Sequence, residues 1–69
     1  MISPVRQDAL RLLAQLSELA PDVRLGQLLV NLSYLARGMT VEAIWDMEDE
    51  ELVEAATRHV EQWKALHSA

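Results

Sequence analysis

Val23-Arg24-Leu25-Gly26-Gln27-Leu28-Leu29-Val30-Asn31-Leu32-Ser33-Tyr34-Leu35-Ala36-Arg37 is the stretch that decides the fold. Leu25, Leu28, Leu29, Leu32, Leu35 and Ala36 recur at helical spacing and fall on one face. Val23, Val30 and Tyr34 fall on nearly the opposite face, and only Arg24, Gln27 and Asn31 form a clearly polar wedge. A helix apolar on two sides is usually buried on two sides. The segment is therefore expected to be the central helix of an all-α domain. Asp22 stands where it can cap the start. Gly38, directly after Arg37, is expected to end the helix as a left-handed C′ residue. Gly26 costs the helix up to about 1 kcal/mol against alanine. Two explanations are open at this stage: another helix passes closely over Gly26 and Ser33, or Gly26 lies in a weakly formed first turn.

On the N-terminal side, Ser3 is a good N-cap and Pro4 suits the first helical position, where a missing N–H costs nothing. Val5, Ala9, Leu12, Leu13, Leu16 and Leu19 then form one stripe. Pro21 stops that helix and pushes Ala20 away from helical geometry. On the C-terminal side, Thr40 is expected to cap a short segment, Val41 to Asp46. A last helix should run from about Glu48 to Leu66, with Leu52, Ala56, His59, Val60, Trp63 and Leu66 inward. No strand-like alternation and no internal repeat is present. The expected fold is an all-α small bundle of three main helices plus a short linking helical turn. It forms one domain over residues 1–69, with the first and last helices flanking the central one.

Composition narrows the function classes. A domain of 69 residues buries a modest fraction of its surface and gains from a staple. Cysteine is absent, and His59 and His67 alone are too few ligands for structural zinc. Twelve leucines and 51% hydrophobic residues support a real core. The net charge of −5 repels nucleic-acid phosphates and anionic membrane surfaces, so neither partner is expected. No uninterrupted apolar run exceeds three residues, so nothing spans a bilayer. The opening Met-Ile-Ser-Pro lacks the pattern of a secretory signal. A cytoplasmic location is the expectation. Charge is also uneven: residues 1–40 carry a balance of +1 and residues 41–69 one of −6. Such asymmetry suits packing within the fold, head-to-tail association or a basic partner.

The segment Trp45-Asp46-Met47-Glu48-Asp49-Glu50-Glu51 holds five carboxylates in seven residues. One reading is structural, because acids favour the N-terminal end of a helix dipole. Asp46 would then be the N-cap, with Asp49 reaching back. The functional reading is a docking surface for a basic protein, formed by Asp46, Glu48, Asp49, Glu50 and Glu51 and anchored by Trp45. Calcium binding would need alternating ligands and a glycine, and neither is present. His59 lies in the apolar stripe of the last helix. It is either a core histidine bonded to a carbonyl or hydroxyl, such as that of Tyr34, or a catalytic or metal-binding group. Ser3, Ser17, Ser33 and Ser68 have no base and orienting group at a spacing that would make a nucleophile. No catalytic residue, cofactor or metal is assigned.

The runs Arg24-Leu25-Gly26-Gln27-Leu28-Leu29-Val30-Asn31-Leu32, Ala36-Arg37-Gly38 and Ile44-Trp45-Asp46-Met47-Glu48-Asp49-Glu50-Glu51-Leu52 carry a likeness across residues 22–56. The chain resembles a group of short, uncharacterised bacterial helical proteins. In these a GQL…N…ARG helix is followed by a WDxEDEEL segment. The resemblance implies a compact bacterial helical protein and no activity, and it transfers no functional residue. The first helix lies outside it.

These readings converge on a non-catalytic protein-interaction module. Self-association is expected through Val23, Val30, Tyr34 and Arg37. A homodimer is the commonest assembly, and a short chain without a staple gains most from it. The acidic helix start would dock a basic partner. The alternative is an antitoxin-like or regulatory small protein. Its DNA-binding form is disfavoured, because Arg24 and Arg37 alone make a poor basic face.

Overall fold

A computed structural model of the chain describes residues 2–68, with side chains described over residues 2–66; the expectations for His67 and the Ser68 hydroxyl fall outside the described side chains. It is all-helical, with α1 (Pro4–Leu19), α2 (Leu25–Arg37), α3 (Ala43–Asp46) and α4 (Asp49–Ser68). Three main helices and a one-turn link make the small bundle.

The start of α1 follows its sequence. Ser3 is the N-cap in extended geometry, and its hydroxyl accepts from the Arg6 N–H at 3.3 Å. Ala9, Leu12 and Leu16 are buried along one stripe. Ala20, ahead of Pro21, leaves the helix at φ −131°, ψ 68° while its N–H still reaches the Leu16 carbonyl.

The second helix begins later than expected. The Val23 N–H bonds back to the Ala20 carbonyl at 3.1 Å, so Val23 belongs to the turn that reverses the chain. Arg24, not Asp22, is the N-cap, and no side chain caps it. Gly26 therefore sits in the first turn, and a Cβ there would meet nothing within 4 Å. The close-approach explanation fails at Gly26, although Ser33 is buried and donates to the Val30 carbonyl at 2.7 Å. Gly38 ends α2 as its C-cap, at φ 92°, ψ 171°. That is a glycine-only region, but it is not the left-handed helical conformation expected.

The largest correction concerns the middle of the bundle. α4, not α2, is packed between the other two long helices: it lies most extensively against α1 and next against α2. Ala55 and Ala56 are fully buried on α4 and let two backbones approach it from adjacent sides. Leu12 and Leu16 of α1 and Leu28 and Leu32 of α2 converge over these alanines and Val60 to form the core. Leu13, Leu19, Val23, Ala36, Leu52, Val53 and Trp63 pack round its edge. α2 meets α4 and the short α3, which is how an apolar helix comes to have two neighbours.

Ion pairs fix the directions. Arg6 near the start of α1 and Arg37 at the end of α2 both reach the first turn of α4. So α1 runs parallel to α4, and α2 runs antiparallel to it. Sixteen residues of α1 span about 24 Å and twenty of α4 about 30 Å, at 1.5 Å per residue. The last turn of α4 therefore overhangs, and Leu66, expected inside, is 75% exposed. Leu25 and Leu35, at opposite ends of the inner face of α2, are exposed as well.

Candidate functional site

The acidic segment is divided between two jobs. α4 starts at Asp49, so Glu48 occupies the N-cap position. Glu51 reaches back, and its Oε1 accepts the Glu48 N–H at 3.0 Å. This is the reciprocal arm of a capping box, set two residues later than the expected Asp46–Asp49 pair. The same carboxylate accepts from the Arg37 guanidinium at 2.8 Å and 3.1 Å. The Glu48 N–H is the main cause that lowers the Glu51 pKa below its ordinary 4.5; loss of solvent pushes it part of the way back up, and the Arg37 hydrogen bond and charge lower it further. Asp49 lies 3.5 Å from Arg6. Asp49 and Glu51 thus tie the start of α4 to α1 and α2.

Asp46, Glu48 and Glu50 are exposed, and among the described residues no Arg or Lys lies within ion-pair distance of them. Trp45 stands beside them at 85% exposure. Its orientation follows from the geometry of α3. Ala43 is buried and Met47, four residues on, is half-buried, so this single turn presents Ile44 and Trp45 outward. The preceding turn is equally shallow. The Thr40 N–H bonds to the Gly38 carbonyl and the Ala43 N–H to that of Thr40, at 3.0 and 3.2 Å. Thr40 contributes this carbonyl and not a side-chain cap; Glu42 is the N-cap of α3. Met39 and Val41 are left 84% and 79% exposed. Sequence reasoning missed Met39, Val41 and Ile44. The signal was their place in a connection too short to bury them.

The residues expected to drive self-association do not form one free face. Val23 packs on this chain's own core, and Arg37 holds Glu51. Val30 and Tyr34, one turn apart on α2, are half-buried. His59 bonds within its own helix instead of to Tyr34. Its Nε2 accepts from Trp63 Nε1 at 3.2 Å, and Nδ1 lies 3.4 Å from Gln62 Oε1. Both contacts are satisfied by a neutral ring with its proton on Nδ1. The two rings meet edge to face at 6.3 Å.

Among the described residues there is no cavity, and no group of three or more His, Cys, Asp or Glu side chains is placed to hold a metal ion. No helix is long and apolar enough to cross a membrane. No protein-family model, curated protein or solved structure matches the chain.

Proposed function

We propose that this chain is a non-catalytic protein-interaction module that presents the α3 region to a partner. The observation that carries the reading is Trp45, 85% exposed and next in the chain to carboxylates that pair with no Arg or Lys among the described residues. Large aromatic side chains are the anchors of protein interfaces, and their exposure in a free protein is costly. A photo-crosslinking residue placed at position 45, in the cells that make the protein, tests the reading. Adducts with protein are expected there and not at the exposed control position Glu18. A yield at 45 no higher than at Glu18 would sink it.

Self-association is the second form of the reading. The chain exposes 5018 Å², against about 4400 Å² for a compact monomer of its mass. A surface larger than that of a compact monomer favours association without locating the contact. Val30 and Tyr34 are its candidate residues. Size-exclusion chromatography with light scattering decides it: a stable monomer at micromolar concentration removes obligate dimerisation.

A further inference from the structure

The connection from α2 to α3 forms an elbow whose apolar side chains face out. Met39, Val41 and Trp45 are almost fully exposed, and Leu35 and Ile44 are 45% and 42% exposed at its sides. The backbone leaves them no alternative. Gly38 ends α2, residues 39–42 are held in a shallow turn, and Ala43 takes the inward position of α3. Glu42, Asp46 and Glu48 lie in or next to the same segment, all exposed and without an ion-pair partner among the described residues.

Charge decides between occupants. A second copy placed on this elbow across a two-fold axis would bring the same acids against themselves, with −5 on each chain. An anionic membrane surface is repelled in the same way. A helix with an apolar stripe flanked by Lys and Arg satisfies both features, burying its stripe on the tryptophan and pairing its flanks with the acids. We propose that the elbow, Leu35, Met39, Val41, Ile44 and Trp45 with Glu42, Asp46 and Glu48 at its rim, docks a cationic amphipathic helix of another protein. This rests on the interaction-module reading and adds the occupant.

The test uses a synthetic Leu/Lys amphipathic peptide of about five helical turns. A Leu/Glu peptide with the same stripe and a scrambled Leu/Lys peptide are the controls. Binding to the full chain is followed by calorimetry and by tryptophan emission, with Trp45→Phe isolating the signal of residue 45. The Leu/Lys peptide should bind, with a blue shift that Trp45→Phe lacks. Trp45→Ala should weaken it about tenfold or more. So should the triple variant Glu42→Gln, Asp46→Asn, Glu48→Gln, with circular dichroism verifying that each variant is folded. Three results overturn the proposal: no binding, equal binding of either control, or unchanged affinity in the variants. A dimer that Trp45→Asp dissociates would put a second copy on the elbow. That outcome overturns the occupant and leaves the interaction-module reading standing, whereas an absence of crosslinks at position 45 removes the reading itself.

Discussion

Gly26 and Gly38 have equally empty surroundings: a Cβ built on either meets nothing within 4 Å. Their substitutions should nevertheless act in opposite directions, because only the backbone differs. Gly38 has φ 92°, where an L-residue is strained by about 1–3 kcal/mol, so Gly38→Ala should lower stability by that much. Gly26 lies in the first turn of α2, and Gly26→Ala should raise stability by about 0.5–1 kcal/mol through the less flexible unfolded chain. Urea unfolding of the two variants checks both signs at once. Glu51 makes a prediction of a different kind. Its folded pKa lies below the ordinary 4.5, so its carboxylate contributes stability above that value. The contribution is lost as pH falls through the folded pKa. Glu51→Gln should therefore be less stable than the parent at neutral pH. The gap should narrow below 4.5 and close at lower pH. Thermal melts of the pair across an acid series measure it, and a gap independent of pH would show that the carboxylate charge is not what the cap uses.

At the scale of elements, the helix ends differ in quality. α1 has a serine cap and α4 a glutamate that reaches back, but α2 begins on Arg24, a cation at the positive end of the helix dipole with no capping side chain. Arg24→Asp supplies both missing features and should add about 1 kcal/mol, read from a shift in the urea midpoint. The same helix shows why the sequence revealed the elements better than their arrangement. Apolar period and proline placed α1 and α2 to within two residues. Periodicity weighs bulk, however, so leucine-rich α2 looked like the centre. Close packing instead favours the helix with small residues at its crossings, and Ala55 and Ala56 put α4 there. Periodicity also reports which face a residue is on, but not how far the neighbouring helix extends. That is why Leu25, Leu35 and Leu66 lie on an inner stripe and are still exposed. Ala56→Leu tests the packing argument. It should cost about 1–3 kcal/mol by forcing α1 or α2 off α4, although it raises the hydrophobicity of the core.

For the whole molecule, Cα extents of 34 × 30 × 18 Å describe a flat body with few fully buried side chains. Its stability rests on a short set of residues, and its exposed apolar groups lie outside that set. In the candidate site the acids and Trp45 were legible as a composition anomaly. What the sequence could not show was the division among the acids, since Asp49 and Glu51 are claimed by Arg6 and Arg37 from other helices. This separation of fold residues from surface residues can be measured directly. Leu32 is fully buried, and Leu32→Ala should cost about 2–5 kcal/mol, a large share of the stability of a domain this small. Trp45→Ser and Met39→Ser delete side chains that touch little of the fold and should change stability by no more than about 0.5 kcal/mol each. Chemical denaturation of the three variants under one condition makes the comparison. If Trp45→Ser unfolds the domain as Leu32→Ala does, the tryptophan is packed in solution and is no surface anchor. If it leaves the midpoint in place, the largest apolar side chain of the elbow does nothing for the fold, and its exposure calls for a partner.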